Sequence, residues 1–407
     1  MHEIILVTVS GQDRKGLTSS LTGLLAGYGV RILDIGQSVI HNHLTLGMLI
    51  EIPQGAVSEP ILKDVLYKAY ELELSVKFDP IGEDHYSEWV RAQGKPRYIL
   101  TVLGRFITAD HISRLSQLVA DHDLNIDIIT RLSGRTPLNG PGAAKRACVE
   151  ISLRGDPSDL VGLRQSLMDI SHGMDVDLAF QEDNVFRRNR RLVALDMDST
   201  LIQTEAIDEL AARCGAGAEV RAVTEAAMRG ELDFKESLRR RVAKLKGLPE
   251  CAMQEIAASL PMTEGAERLI ANLKRVGYKI AIISGGFTYF GEVLRRKLGV
   301  DYLYANELEI ENGALTGRVK GEVVDAERKA QILREIAERE GLSLQQIIAV
   351  GDGANDLAML SLAGLGIAFH AKPKVKQGAK QSISTLGLDS ILYLLGMRDR
   401  EMVADDG

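Results

Sequence analysis

A chain of 407 residues with 45% hydrophobic side chains can build several cores at roughly 100–200 residues per domain, which excludes a wholly disordered polymer. Its 49 basic and 56 acidic side chains leave a net charge of −7, which excludes a dedicated nucleic-acid binder, since such proteins carry a strongly basic domain. No charge-free stretch reaches the ~18 residues of a membrane-spanning helix, and Met1-His2-Glu3-Ile4 is no basic leader, so the expectation is a cytoplasmic protein without a membrane partner.

Residues 4–9 alternate as a strand, and the loop Gly11-Gln12-Asp13-Arg14-Lys15-Gly16 follows. Leu17, Leu21, Leu24 and Leu25 then fall at helical spacing, runs 30–40 and 44–52 read as strands, and Ile61, Leu62, Val65, Leu66 and Ala69 form a second helical stripe. A last strand near 74–78 completes the order β-α-β-β-α-β, a ferredoxin-like unit over residues 1–80. His41 and His43 are expected on one strand face as ordinary sheet residues, because no third ligand is in register.

The order recurs over residues 97–180. The strand 98–103 matches 4–9, Leu115, Leu118 and Val119 match Leu21, Leu24 and Leu25, and Leu124 matches Val30, so this is a divergent internal duplication. A Pro/Gly-rich insertion, residues 134–142, sits between its middle strands. Residues 81–96 are expected to link the repeats. Residues 180–191, with Arg187-Arg188-Asn189-Arg190-Arg191, are expected to be a solvated linker rather than a nucleic-acid contact.

From residue 192 short apolar runs (192–195, 279–283, 346–350, 364–369) alternate with helical patterns, the signature of a parallel sheet with helices on both faces. Residues 206–260 show no strand signal and predict a helical insertion, and Asn312-Gly313 predicts a hairpin turn. Cys148, Cys214 and Cys251 lie too far apart for a zinc knuckle or redox pair.

Three of the strand runs end in polar clusters: Asp196-Met197-Asp198-Ser199-Thr200, Ser284-Gly285-Gly286, and Gly351-Asp352-Gly353-Ala354-Asn355-Asp356. In an open parallel sheet these ends share one crevice, where so many carboxylates need a cation. A hard divalent ion, Mg²⁺ by preference, suits oxygen ligands, while Lys329, Ser284 and the backbone around Gly285 offer donors to a phosphate. An EF-hand does not fit, because Leu201 and Ile207 stand where it needs glycine and glutamate.

The spacing of Asp-x-Asp-Ser-Thr, Ser-Gly-Gly, Lys329 and Gly-Asp-Gly-Ala-Asn-Asp resembles the haloacid dehalogenase superfamily of phosphohydrolases. More narrowly, Asp196 to Glu205, Gly230-Glu231-Leu232-Asp233-Phe234 and Pro261-Met262-Thr263-Glu264-Gly265 resemble the phosphoserine phosphatases; the two repeats resemble ACT domains, which bind amino acids. The resemblance implies a domain over 185–400 with a helical cap near 206–260, and hydrolysis of O-phospho-L-serine to L-serine and phosphate, the last step of serine biosynthesis. It implies Asp196 as the nucleophile that becomes aspartyl-phosphate and Asp198 as general acid and base. Mg²⁺ would be held by Asp196, the Asp198 carbonyl and Asp352, with Asn355 and Asp356 supporting. Ser284, Gly285 and Lys329 would bind the phosphoryl oxygens, Glu205 the ammonium and Arg241 the carboxylate, with Met228 and Phe234 as apolar lid residues. By the same resemblance the repeats imply a homodimer or higher homo-oligomer. L-Serine is expected as an effector near Gly11, Asp13 and Gly16, the second repeat lacking that loop pattern. A sister phosphomonoesterase or phosphotransferase, and an amino-acid sensor with a silent hydrolase domain, stay open as alternatives.

Overall fold

The computed structural model describes residues 2–135 and 146–403, apart from the side chain of Met228; most of the insertion expected at 134–142 lies outside the described residues. The chain divides into two units, Met1–Lys95 and Pro96–Gly407.

The first unit runs β1 (Glu3–Gln12), α1 (Leu17–Gly27), β2 (Arg31–Ile40), β3 (His43–Ile52), α2 (Ser58–Glu71) and β4 (Ser75–Ile81), with antiparallel strand order β2-β3-β1-β4. Leu17, Leu21 and Leu25 of α1 and Ile61, Val65 and Ala69 of α2 recur every four residues, so each helix buries one stripe on the strand residues Val7, Val9, Leu46 and Met48. The edge strand β2 leaves Ile32, Ile35, Val39 and Ile40 exposed. One expectation is corrected here. His41 lies in the β2–β3 turn at φ 59° beside Asn42, not on a strand face with His43. The span expected to link the repeats carries a helix, α3 (Glu83–Ala92); it buries no residue, so no apolar stripe announced it.

The second unit begins with the repeat: β5 (Arg97–Gly104), α4 (Ala109–Asp121), β6 (Leu124–Arg131), β7 (Ala147–Gly155), α5 (Leu160–Met174) and β8 (Asp177–Glu182), in the matching order β6-β7-β5-β8. There follow β9 (Leu192–Leu195), a helical insertion of α6 (Ala206–Arg213), α7 (Gly217–Met228), α8 (Phe234–Ala243) and α9 (Glu250–Ala258), then α10 (Ala266–Arg275), β10 (Lys279–Phe287) and α11 (Thr288–Leu298). Next come the hairpin β11 (Tyr302–Glu311) and β12 (Ala314–Lys320), α12 (Ala326–Arg339), β13 (Ile347–Gly351), α13 (Leu357–Leu362), β14 (Leu365–Phe369), α14 (Pro373–Gly378), β15 (Gln381–Ile383) and α15 (Ile391–Leu394). The hairpin turns through Asn312 and Gly313, both at positive φ, as a tight two-residue turn requires. The seven strands order β12-β11-β10-β9-β13-β14-β15, with only the β11–β12 pair antiparallel. Among the described residues no helix is long and apolar enough to cross a membrane.

The second repeat is fused to this sheet. Gln381 of β15 donates to the Phe180 carbonyl (2.6 Å) and accepts from its N–H (2.9 Å), while Asp177 accepts from the N–H groups of Ser384 and Thr385 (both 2.8 Å). Leu103, Cys148 and Ala179 of the repeat belong to the same apolar core as Leu392 and Tyr393. The reading of 180–191 as a solvated linker is therefore corrected. Arg187 and Arg190 are each only 4% exposed, Arg187 pairing with Glu150 and Arg190 donating to Gln181 (3.0 Å). Burial lowers the Arg190 guanidinium to about 10.

Candidate active site

The crevice forms where β9, β10 and β13 end side by side, and the sequence turns polar at each end. Asp196 follows β9; its N–H is tied to the Val350 carbonyl of β13 (2.9 Å), which fixes where its side chain begins. One carboxylate oxygen accepts from the Met197 N–H (2.7 Å), the other from the Lys329 ammonium (2.8 Å). Lys329 sits fully buried in the first turns of α12, a helix capped by Asp325, and also donates to Asp356 (2.7 Å). Burial alone would depress this ammonium, but Asp196 and then Asp356 hold it above its usual range, and hence charged.

Asp352 accepts from the Thr200 hydroxyl (3.0 Å), and Asp356 from the Gly353 N–H (2.9 Å). Oxygens of Asp196, Asp352 and Asp356 lie within 4.8 Å of one another. Burial, and then the Asp196 charge, raise both Asp352 and Asp356 to about 7. Carboxylates so crowded share their space by holding protons or by holding a cation. The donors are all hard oxygens, so the set fits Mg²⁺ far better than a thiophilic metal.

Asp198 lines the same cavity with different partners. One oxygen accepts from the N–H of Ala206, the first residue of α6 (3.2 Å), and a β-carbon on Gly286 would lie 2.4 Å from the other, so only glycine leaves that carboxyl its room. Burial, then the charges of Glu205 and Asp196, push its pKa well up, which favours its protonated form. Glu205 accepts from the Ser199 hydroxyl (2.8 Å) and is itself raised, chiefly by burial.

Between these ends and the helical insertion lies a cavity of about 400 Å³, lined by Asp196, Asp198, Glu205, Arg241, Ser284 and Asn355 among others. Phe234, the first residue of α8, closes over Gly285, where an added β-carbon would come within 3.1 Å of the ring. Asp233 caps the helix on the Glu236 N–H (2.7 Å), and besides Phe234 three further residues of this helix, Ser237, Leu238 and Arg241, reach the cavity. Among the described residues the buried Arg241 Nε has no hydrogen-bond partner, and burial lowers this guanidinium. By contrast its neighbours Arg239 and Arg240 are exposed, Arg240 pairing with Glu236 (2.7 Å). Met228 ends α7; its side chain lies outside the described residues.

In the first unit Asp13 and Gly16 line one shallow depression at the start of α1, where Gly16 adopts φ 88°. Gly11 is not brought there: it belongs to β1 and packs against Leu74.

Two positioning residues escaped the sequence reading. Thr200 was visible inside the Asp-Ser-Thr cluster but received no role. Asn306 had no signal at all: fully buried on β11, it donates to the Gly285 carbonyl (2.8 Å) and accepts from the Val324 N–H (2.9 Å), and so holds the Ser-Gly-Gly turn.

Residues 3–79 and 97–181 match the ACT domain family, and residues 190–364 match haloacid dehalogenase-like hydrolases. Phosphoserine phosphatase SerB2 of Mycobacterium tuberculosis is 40% identical across 99% of this chain and 95% of its own length. A phosphoserine phosphatase of Streptomyces coelicolor is also 40% identical, across 99% of this chain and 94% of its own. Among solved structures, a probable phosphoserine phosphatase from Vibrio cholerae in unliganded form is 37% identical with a TM-score of 0.59, covering 73% of this chain and 86% of that one.

Proposed function

The chain belongs to the phosphoserine phosphatase family of haloacid dehalogenase-like hydrolases with N-terminal ACT domains, and from that premise we propose how its own residues carry out the reaction. It is an enzyme that hydrolyses O-phospho-L-serine to L-serine and phosphate. The family is metal-dependent; Asp196 and Asp352, supported by Asp356 and Asn355, would hold Mg²⁺, which when bound neutralises charge on the phosphoryl oxygens.

The observation that carries this reading is the division of labour between two aspartates two residues apart. Asp196, held through one oxygen by the Lys329 ammonium, presents its carboxylate electron pair to phosphorus. Asp198, pushed toward its protonated form, gives its proton to the seryl oxygen as the phosphorus–oxygen bond breaks. The aspartyl-phosphate on Asp196 is then hydrolysed by a water whose proton returns to Asp198, which restores both groups. Ser284 and the Gly285 backbone, which line the cavity, are assigned to the phosphoryl oxygens together with Lys329, which lies against Asp196.

Selectivity follows from unbalanced charges. The unpartnered Arg241 Nε offers its planar fork to the substrate carboxylate, and Glu205 offers a counter-charge to the ammonium. Phe234 over Gly285 excludes water from the closed site, with Met228 assigned the same role. Rates on phosphoserine and on phosphomonoesters lacking the amino and carboxyl groups, with and without Mg²⁺, test the assignment; equal rates on both would sink it.

The first repeat supplies an amino-acid site. L-Serine, an amino acid as an ACT domain would bind, is the effector assigned to Asp13 and Gly16, with Gly11 shaping the strand behind them. The exposed Ile32, Ile35, Val39 and Ile40 on the β2 edge support pairing of two chains through this sheet, a homodimer working in the cytoplasm.

A further inference from the structure

A second cavity, of about 410 Å³, opens where α5 of the second repeat faces α14 and β15. Its size suits a small organic molecule. Its walls are of two kinds. Leu167, Met168, Leu178 and Phe180 give an apolar side, while Arg164, Lys376 and Lys380 give a cationic one, and no carboxylate lines it. Among the described residues the side chains of Arg164 and Lys376 make no ion pair or hydrogen bond. The acid that feels Lys376 is Asp177, whose oxygens are already taken by the Ser384 and Thr385 N–H groups. Burial, and then repulsion from Arg164 and Arg190, lower the pKa of Lys380, so positive charge here is in surplus.

We propose that this cleft binds a small organic anion, a phosphate or carboxylate head on an apolar body, with the head between Arg164, Lys376 and Lys380 and the body on Leu167, Met168 and Leu178. The site is distinct from the catalytic cavity and connects to it through one helix. Lys380 donates to the Ala363 carbonyl (2.8 Å), which closes the C-terminal end of α13, and Ser361 of the same helix lines the cleft. At its other end α13 begins directly after Asp356, the partner of Lys329. An anion that draws Lys380 toward itself competes for that carbonyl, and so acts on the helix that seats the catalytic cluster.

The test uses the full chain and 8-anilinonaphthalene-1-sulfonate, an aromatic anion that reports binding by its own fluorescence. Arg164→Glu and Lys376→Glu are compared with the unaltered protein and with the milder Arg164→Gln and Lys376→Gln; unchanged far-ultraviolet dichroism certifies folding. Each charge reversal is expected to weaken the saturable binding about tenfold or more, and each neutralisation less. Sulfate at equal concentration is expected not to displace the probe. Saturating probe is expected to change phosphoserine turnover in the unaltered chain and not in the reversed variants. Equal probe affinity in all five proteins would overturn the site. Displacement by sulfate would overturn the requirement for an apolar body, and binding without any effect on turnover would overturn the link through α13.

Discussion

The Lys329 ammonium and the Asp196 carboxylate meet at 2.8 Å although 133 residues separate them, and both are buried. Lys329 also donates to Asp356 (2.7 Å), so it is Asp196 that would be left an uncompensated buried charge without its partner, and the three side chains must be treated as a unit.

Replacing the nucleophile tests the unit directly. Asp196→Asn should abolish turnover and covalent phosphoryl labelling, because an amide does not attack and leaves Lys329 with Asp356 alone. Asp198→Asn should cost about 10²–10⁴-fold in kcat. Appreciable activity in Asp196→Asn, once mass spectrometry excludes deamidation, would refute the assignment.

Arg241→Ala should damage phosphoserine turnover by about 1.5–3 kcal/mol in transition-state binding and leave a neutral phosphomonoester nearly untouched. The comparison of kcat/KM on the two substrates decides. Parallel losses would mean that Arg241 only supports the cap.

Metal binding should depend on pH with a fixed sign. Asp352 and Asp356 have their pKa values raised from the usual carboxylate range to about 7, so below that pH they hold protons that a cation must displace. Mg²⁺ affinity should therefore climb between pH 6 and 8, by up to about tenfold per pH unit for each proton displaced, and level off above. Calorimetry in buffers of different ionisation enthalpy counts the released protons; affinity that falls with rising pH would contradict the geometry.

The proposed serine site is tested by removing the first unit, Met1–Lys95, as a whole. A truncation near Arg188 would strip the second repeat from Gln381, Ser384 and Thr385 and bare part of a shared core, whereas a chain starting at Pro96 keeps that unit whole. Serine inhibition is expected in the full chain, and is expected to be weakened by Asp13→Ala and lost in the chain from Pro96. Full inhibition in the shortened chain would locate serine at the active site.

Asp177→Ala should loosen the junction, at about 1–3 kcal/mol for each of the two backbone donors it leaves unpaired. Thermal denaturation of the chain from Pro96 reads this loss. An unchanged midpoint would show that water replaces the carboxylate without penalty.

The sequence made the architecture legible wherever one face is buried. Leu17, Leu21 and Leu25 announce α1, and the apolar runs of β9 and β13 announce a sheet covered on both sides. The site was legible because its carboxylates stand at strand ends in short motifs. What stayed hidden depends on distant partners. Arg187 and Arg190 look like surface charge until Glu150 and Gln181 are placed beside them. Asn306 acquires meaning only when β10 and β11 are neighbours, and α3 has no buried stripe to betray it.

The meeting of β8 with β15 also bears on how the chain is made. Each strand is the outermost of its own sheet, and an outermost strand with free backbone groups is a template for wrong pairing. In the finished protein Gln381 occupies the N–H and C=O of Phe180 and covers that liability. During synthesis the two arrive 201 residues apart, which at roughly 5–20 residues per second leaves β8 uncovered on the ribosome for about 10–40 s. The second repeat can finish its own sheet in that interval but cannot shield its border. Until β15 emerges near the end of the chain, that border stays open to wrong pairing.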